Sequence, residues 1–354
     1  MRIDEIDKNF KVVSTDENGY DWYDAKDLQL YGVTLTEDGF VRMPKDSAMR
    51  VNETVAFLAT NSAGGRVRFS TNSKKIAIKA EYHVVTKFPH MPLTGTTGFS
   101  LVADYANAPS KTMYEFIPPM EIEKEYTSSF TVNENLGDNE GFTLFFPLYS
   151  TVKSLHVGIE HGCVMDKGKA YEDILPVLFY GSSITQGGCA SRPGNDYIGL
   201  LSKRLNIDIL NLGFSGNAKG EDEMAEYLSS LKVSAFVYDY DHNAPSHEHY
   251  EKTHSRFFNI FRKAQPDTPV IFMTRPAFSL YTEDDVNGRL AIAKKTYTQA
   301  LESGDKNVYF IDGRSFMDCD DTSACSVDDC HPTDLGFYFM ANKVEPVLRK
   351  ILNK

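Results

Sequence analysis

The feature that most restricts the fold of this chain is a regular alternation of apolar runs and amphipathic segments after residue 174. The first run, LPVLFYG (175 to 181), precedes a segment in which Tyr197, Leu201 and Leu205 fall on one helical face. Four more pairs follow, with apolar runs at 207 to 213, 233 to 240, 268 to 274 and 307 to 312, and helical segments at 221 to 231, 247 to 263, 289 to 301 and 335 to 352. Five apolar strands that alternate with helices predict an α/β fold with a doubly wound, parallel five-stranded sheet.

The first half of the chain has a different pattern, in which short β-rich stretches are separated by turn-forming residues. Seven such stretches between residues 54 and 160 predict a β-sandwich of the jelly-roll type. They are TVAFLATNS, RVRFSTNS, KIAIKAEY, GFSLVADY, KTMYEFI, GFTLFFPLY and SLHVGIE. The pattern changes in MDKGKAYED, so we expect an N-terminal β-sandwich domain at 1–170 and the α/β domain at 171–354.

Composition restricts the partners and the compartment. Lys plus Arg total 37 against 49 Asp plus Glu, a net charge of −12, and this balance argues against nucleic acid and anionic membranes as partners. The apolar runs are far shorter than the roughly 20 residues that span a bilayer. The start MRIDEIDKNF lacks the apolar core of a secretion signal, so we expect a cytoplasmic protein. Exposed β-edges would permit a homodimer, and five scattered cysteines, at 163, 189, 319, 325 and 330, fit reduced thiols.

Reactive side chains follow the predicted strands, at the sheet edge where parallel α/β folds bind their ligands. Ser183 lies in a strand-to-helix turn, where free backbone N–H groups can stabilise an oxyanion. His331 and Asp328, in the loop after the last strand, can supply a base and the carboxylate that orients it. Gly216 and Asn243, after the second and third strands, can add a backbone donor and an amide donor. Each loop alone is also explained by turn and capping chemistry, but together they predict an acyl-transfer site.

The order of these motifs resembles the sequence blocks of the SGNH (GDSL-type) hydrolases. The chain contains Gly-x-Ser-Ile-Thr, then Asn-x-Gly-x-Ser-Gly, then a strand that ends before Asn, and finally Asp-x-x-His-Pro, over roughly residues 174 to 353. The resemblance implies a flavodoxin-like sheet and the hydrolysis of esters or thioesters. It also implies that Ser183 is the nucleophile and that His331 and Asp328 complete a catalytic triad.

The oxyanion donors implied by the resemblance are the Gly216 N–H and the Asn243 side chain, and we expect the backbone N–H of Ser183 to join them. The chain departs from the family pattern at two places. Ser182 stands where the family commonly has Asp, and Asp-His-Asn-Ala at 241–244 replaces Gly-x-Asn-Asp. Neither departure removes a catalytic group.

The N-terminal part resembles the β-sandwich domain that precedes the hydrolase domain in a bacterial subgroup of this superfamily. That subgroup carries a Gly-x-Asp-Leu-Tyr signature, of which Gly-Phe-Ser-Leu-Val at 98–102 is a degenerate version. Members with this layout are often carbohydrate esterases that remove acetyl groups. The resemblance therefore implies acetylated oligosaccharide as the substrate class, and the partner that we expect is a small-molecule or oligosaccharide ester.

Three further side chains on the expected active edge are candidates for substrate binding, namely Arg192, Arg275 and His247. For both arginines, an ion pair with a nearby acidic side chain is an equal alternative. A group of histidines and aspartates could be read as a metal site, but a solvated loop that enters a helix is favoured, and the serine mechanism requires no metal or cofactor. The group comprises Asp239, Asp241, His242, His247, His249 and His254.

We therefore expect a serine esterase that hydrolyses small acyl esters, with acetyl groups on carbohydrates as the favoured substrates. One alternative is an acyltransferase that uses the same site. The other is a carbohydrate-binding protein in which the hydrolase domain is vestigial.

Overall fold

The computed structural model describes residues 12–15, 19–132 and 136–354, and the segment MRIDEIDKNF lies outside these ranges. The chain forms two compact units. The first comprises Met1–Arg42, Thr60–Glu172 and Ser191–Gly194, and the second comprises Met43–Ala59, Asp173–Ala190 and Asn195–Lys354. The predicted domain boundary between residues 170 and 171 lies close to Glu172, where the longest segment of the first unit ends.

The strands and helices are numbered in chain order. The strands are β1 (Val12–Thr15), β2 (Tyr20–Asp24), β3 (Gln29–Tyr31), β4 (Thr34–Thr36), β5 (Gly39–Val41), β6 (Arg66–Thr71), β7 (Lys75–Val84), β8 (Phe99–Tyr105), β9 (Lys111–Phe116), β10 (Glu125–Thr131), β11 (Asn139–Phe145), β12 (Thr151–Glu160), β13 (Met165–Asp166), β14 (Val177–Gly181), β15 (Ile209–Gly213), β16 (Ala235–Asp239), β17 (Val270–Met273) and β18 (Val308–Ile311). The α-helices are α1 (Lys45–Val51), α2 (Glu53–Ala59), α3 (Leu93–Thr97), α4 (Ser183–Gln186), α5 (Tyr197–Leu205), α6 (Asp222–Ser229), α7 (His247–Ala264), α8 (Glu283–Glu302) and α9 (Asp334–Leu352). Short 3₁₀ turns lie at Ala25–Asp27, Asp241–Asn243, Gly313–Ser315 and Thr322–Cys325. Within the described ranges, none of these helices is both long and apolar enough to cross a membrane.

The first unit is built from two antiparallel sheets that share one apolar core. One sheet has the order β1-β2-β12-β7-β10, and the other has the order β13-β6-β11-β8-β9, with β3 also paired to β6. Alternation places Ile76 and Ile78 of β7 in the core, where they meet residues of the other sheet such as Val67 and Leu144. The prediction of a β-sandwich is thus confirmed.

Two stretches of the first half differ from the prediction. TVAFLATNS is not a strand, because residues 53–59 form helix α2, with Val55, Leu58 and Ala59 buried at helical spacing. The side chain of Asn52 accepts a hydrogen bond from the Val55 N–H at 2.8 Å and so caps this helix. Conversely, EYTSSFT at 125–131 forms strand β10, an edge strand paired with β7.

The second unit contains the predicted parallel sheet, in the strand order β15-β14-β16-β17-β18. Numbered along this unit, that order is 2-1-3-4-5, which is the flavodoxin-like arrangement, and the predicted fold class is confirmed. Strand β14 is fully buried between β15 and β16. The chain leaves β14 first toward β15 and later toward β16, so the switch point where such sheets bind ligands lies at the carboxyl end of β14.

Helices cover this sheet as the amphipathic segments predicted. The largest difference in length is at α8, which begins at Glu283, six residues before the expected start at Arg289. A buried aromatic cluster joins α7 to the sheet, because the ring of Phe257 stacks on Tyr180 and Tyr238 with centroids 5.1 Å apart in each case. These contacts fix the sheet whose edge carries the candidate site.

Candidate active site

Ser183 is held at a sharp turn between β14 and the short helix α4. The preceding Ser182 caps α4, since its hydroxyl accepts a hydrogen bond from the Ile184 N–H at 3.1 Å. Gly181 is required at the end of the strand, because a Cβ there would lie 2.1 Å from the carbonyl oxygen of Asp239. The helix ends at Gly187 with a φ of 103°. Ser183 is thus the first residue of a helix, where the backbone N–H groups have no acceptor within the helix.

A continuous hydrogen-bond chain links the three predicted triad residues. Ser183 Oγ lies 2.9 Å from His331 Nε2, and His331 Nδ1 lies 2.8 Å from Asp328 Oδ2. Asp328 Oδ1 also accepts the backbone N–H groups of Cys330 at 3.1 Å and His331 at 2.7 Å. With the proton on Nδ1, the imidazole donates to the carboxylate and accepts from the serine. The sequence prediction that these three side chains lie together is matched by the geometry.

Local backbone contacts hold the loop that carries His331. The Val327 N–H donates to the His331 carbonyl at 2.9 Å, and the Thr333 N–H donates to the Cys325 carbonyl at 2.9 Å. Gly336 packs against the same Cys325 carbonyl, which would lie 2.3 Å from an added Cβ. The loop is therefore fixed at the start of α9 rather than free to move the base away.

The electrostatic interactions between His331 and Asp328 favour the charged form of each side chain. Burial opposes protonation of the imidazole, but contacts with Cys330 and Asp328 outweigh it and raise the pKa of His331 to about 9. Although partial burial acts against it, hydrogen bonds and charge from His331 hold the pKa of Asp328 below its usual value. An imidazolium formed when serine gives up its proton is therefore stabilised here.

The two candidate oxyanion donors lie on loops that follow the strands beside β14. Gly216 adopts a φ of 69°, and an added Cβ would meet no atom within 4 Å, so the space beside its Cα is open. Asn243 ends a 3₁₀ turn, and its Nδ2 donates to the carbonyl of Phe214 at 3.3 Å. This contact brings the Asn243 side chain to the loop that contains Gly216. The roles of both residues in oxyanion binding stay predictions.

Two residues that the sequence analysis did not assign position the Gly216 loop. Gln186 in α4 is buried, and its Oε1 accepts the Ser215 N–H at 3.1 Å. Asn211 accepts the Gly213 N–H at 3.0 Å and donates to the Thr185 carbonyl at 2.9 Å. These amides tie the second loop to the nucleophile turn. Gln186 directly follows the first quoted motif and Asn211 begins the second, but in a sequence a buried bridging amide is indistinguishable from an ordinary helix or turn residue.

Two of the predicted substrate-binding residues, Arg275 and His247, contact the same carboxylate, that of Asp285. Arg275 is 4% exposed, forms an ion pair with Asp285 and stacks its guanidinium 3.6 Å from the ring centre of Tyr281. His247 Nε2 lies 2.8 Å from the same Asp285. The ion-pair alternative is therefore realised for Arg275, and contact of either residue with substrate stays a prediction.

Arg192 belongs to the first unit, where its charge lowers the pKa of Glu115. Burial has the larger and opposite effect, so the pKa of Glu115 is raised to about 8. The Glu115 carboxylate also accepts a hydrogen bond from Ser100. A role of Arg192 in substrate binding stays a prediction.

The histidines considered as a metal site each have a different partner. His249 Nε2 lies 2.7 Å from the Lys219 carbonyl, and His254 Nδ1 lies 2.8 Å from Thr296 Oγ1. His242 Nε2 lies instead 3.1 Å from Cys330 Sγ. The four imidazoles that are close in sequence therefore do not converge on one point.

Comparisons with known families agree with this geometry. Residues 175–349 match the GDSL-like lipase/acylhydrolase family, and residues 20–165 match the family described as the N-terminus of SGNH hydrolase-type esterases. No protein of curated function matches the chain significantly.

Solved structures align along nearly the whole chain. A protein from Bacteroides ovatus described as a GDSL-like lipase is 29% identical, with a TM-score of 0.84, over 94% of this chain and 98% of its own. The salicylyl-acyltransferase SsfX3 from a tetracycline biosynthetic pathway is 16% identical, with a TM-score of 0.74 and 98% of both chains covered. A family two carbohydrate esterase from Cellvibrio japonicus is 13% identical, with a TM-score of 0.57, over 94% of this chain and 98% of its own. The chain therefore belongs to the GDSL-type (SGNH) hydrolases, a superfamily of lipases and acylhydrolases, and carries their N-terminal β-rich domain.

Proposed function

We propose that this protein is a serine esterase that hydrolyses small acyl esters, with acetyl groups on carbohydrates as its substrates. The observation that carries the proposal is the unbroken hydrogen-bond chain from Ser183 through His331 to Asp328. A hydroxyl, an imidazole and a carboxylate in that order are the parts needed to activate a serine for attack on a carbonyl.

The mechanism follows from the positions of the protons. Ser183 Oγ attacks the acyl carbon while His331 Nε2 takes the serine proton, and a tetrahedral intermediate forms. His331 then gives this proton to the departing alcohol oxygen, which leaves the acyl group on Ser183. Water attacks this acyl-enzyme with His331 again as base, and His331 then returns the proton to Ser183 Oγ as the acid product is released. Asp328 keeps the imidazole in the Nδ1–H tautomer and stabilises the imidazolium in each step.

The negative oxygen of each intermediate needs hydrogen-bond donors in place before reaction. The Gly216 N–H, the Asn243 amide and the backbone N–H of Ser183 are the donors that we assign. Gly216 has a φ of 69° and open space at its Cβ position, and the Asn243 amide lies against the same loop. Neutral donors of this kind stabilise an oxyanion without placing a second positive charge beside the imidazolium.

The substrate class rests on structural relatives. Besides the Cellvibrio esterase, an acetyl xylan esterase from Butyrivibrio proteoclasticus has a TM-score of 0.53 and covers 94% of this chain and 99% of its own, at 15% identity. Identities this low show a shared fold, so the acetylated sugar is our proposal for this chain.

A second candidate is an acyltransferase, and a specific observation favours it. The salicylyl-acyltransferase aligns over 98% of this chain with a TM-score of 0.74, higher than the score of either carbohydrate esterase. Transfer needs the same acyl-enzyme, and only the final acceptor differs, with an alcohol in place of water.

The experiment measures acetate release from 4-nitrophenyl acetate and from acetylated xylo-oligosaccharide, with and without an added sugar acceptor. The protein, Ser183→Ala and a matched control are compared. The control is Ser230→Ala, whose hydroxyl lies on the exposed end of α6. We expect release from both substrates by the protein and the control and none above background by Ser183→Ala. Acyl sugar in place of free acetate would establish the transferase, and full activity of Ser183→Ala would exclude both candidates.

A further inference from the structure

The residue before the candidate base, Cys330, lies in a polar cluster that the proposed mechanism does not use. Its Sγ lies 3.1 Å from His242 Nε2 and accepts a hydrogen bond from the Tyr281 hydroxyl at 3.3 Å. The hydroxyl of Tyr281 also lies 2.8 Å from His242 Nε2. The other nitrogen of this ring, Nδ1, is buried without a hydrogen-bond partner among the described residues. The thiol and an imidazole nitrogen thus face each other in a partly enclosed place.

The same thiol lies beside two members of the triad. One ligand atom each from Asp328, Cys330 and His331 lie within 4.8 Å of one another. A sulfur, an imidazole nitrogen and a carboxylate oxygen form a donor set that Zn²⁺ prefers, and Zn²⁺ takes such ligands at about 2.0–2.3 Å in a tetrahedral arrangement. His242 Nε2 lies 3.1 Å from the same sulfur and is a further imidazole nitrogen beside this group.

We propose that this cluster is an inhibitory zinc site in which Cys330, His331, Asp328 and His242 bind Zn²⁺. The thiol loses its proton to solvent when its sulfur binds the ion, and no other bond is made or broken. The thiolate and the carboxylate then balance the two positive charges of the ion. These opposite charges offset part of the cost of taking the cation out of water.

Zinc bound here would switch off the proposed reaction whichever nitrogen of His331 it takes. Coordination by Nε2 replaces the hydrogen bond to Ser183 Oγ, and coordination by Nδ1 replaces the bond to Asp328. Because these bonds must be broken first, we expect binding that a chelator reverses. Zinc binding itself is independent of the proposed function, whereas the loss of activity rests on it.

The sequence pattern alone did not suggest this site. Zinc sites are recognised by paired spacings such as C-x-x-C, which the cysteines at 319, 325 and 330 lack. The fourth donor comes from a different loop, after β16, and only the fold brings it to Cys330.

The first test measures binding without catalysis. Isothermal titration with ZnCl₂, and absorption spectra with Co²⁺ as a zinc substitute, are recorded for the full chain and for three variants, Ser183→Ala, Cys330→Ser and Cys163→Ser. The chain, Ser183→Ala and the control Cys163→Ser should each bind one zinc and show a thiolate-to-cobalt charge-transfer band. Cys330→Ser should lose the band and bind zinc at least about tenfold more weakly. Equal binding and an equal band in Cys330→Ser would overturn the proposal.

The second test measures inhibition of 4-nitrophenyl acetate hydrolysis by ZnCl₂, with each variant normalised to its own rate in EDTA. We expect the half-inhibitory zinc concentration to be at least about tenfold higher for Cys330→Ser than for the unchanged chain. The same concentration in both would overturn the proposal. If Cys330→Ser does not fold, His242→Gln replaces it in both tests, and unchanged zinc affinity in that variant would equally overturn the site.

Discussion

Replacing Asn243 by Ala tests whether its amide is an oxyanion donor or only a loop residue. In the folded protein its Nδ2 makes one long hydrogen bond, 3.3 Å to the Phe214 carbonyl, and the side chain is partly exposed. Loss of such a bond costs about 1 kcal/mol of unfolding free energy. In a domain of 150–250 residues this lowers Tm by about 2–4 °C. Stability should therefore change little.

The effect on the rate should be much larger. Removal of one preorganised oxyanion donor raises the barrier by about 2.7–4 kcal/mol, which lowers kcat by about 10²- to 10³-fold. KM should stay close to its original value, because the donor acts on charge that exists only in the transition state. Steady-state kinetics with 4-nitrophenyl acetate and thermal melts, recorded on the same samples, give both quantities. Asn243→Asp is the matched variant, since it keeps the size but places a carboxylate where the oxyanion forms, and its kcat should fall further. A kcat for Asn243→Ala within about threefold of the original would refute the assignment.

Three further outcomes are expected. In EDTA, kcat/KM should rise with pH as His331 loses its proton, with a midpoint between the ordinary pKa of histidine and about 9. Asp328→Asn should lower this midpoint and should lower the maximal rate by about 10³- to 10⁴-fold, and an unchanged midpoint would contradict the pairing of His331 with Asp328. Gln186→Ala leaves the partly buried Ser215 N–H without its acceptor, so we expect about 1 kcal/mol lower stability in urea unfolding together with a lower kcat. A change in neither quantity would show that the amide does not position the loop. Phe257→Ala empties a fully buried aromatic site and should cost about 3–5 kcal/mol in the same unfolding assay; a cost under 1 kcal/mol would contradict the packing.

The α/β half of the molecule could be predicted because its signals are local and repeated. Strand β14 is buried on both faces, so its sequence is continuously apolar. The nucleophile turn and the base loop were identifiable for the same reason, since Ser183 directly follows that strand and His331 lies three residues from Asp328.

The secondary-structure predictions were wrong where a segment is buried on one face only or is buried by residues distant in the sequence. EYTSSFT forms the edge strand β10, in which only Tyr126 is buried, so it lacks the apolar content of a core strand. TVAFLATNS is apolar enough for a strand, but it forms helix α2 and packs with α1 in the core of the second unit. The helical spacing of its apolar residues was present in the sequence, but in a short apolar run the hydrophobic period alone does not distinguish a helix from a strand.

In the candidate site, the parts that could not be predicted are those joined by tertiary contacts. The carboxylate that engages Arg275 and His247 is Asp285, at the start of α8, and nothing in the sequence marks it among 49 acidic residues. The approach of His242 to Cys330 likewise depends on two loops that meet only in the folded sheet.

The central claim, that Ser183 is the nucleophile, is tested most directly by covalent labelling. The chain is treated with a fluorophosphonate, which reacts with activated serines, and the adduct is located by mass spectrometry of peptides. We predict one adduct per chain, on Ser183, together with loss of esterase activity at the same rate as labelling, and no adduct in Ser183→Ala. Stoichiometric labelling of another residue, or an active enzyme whose Ser183 is fully modified, would contradict the account.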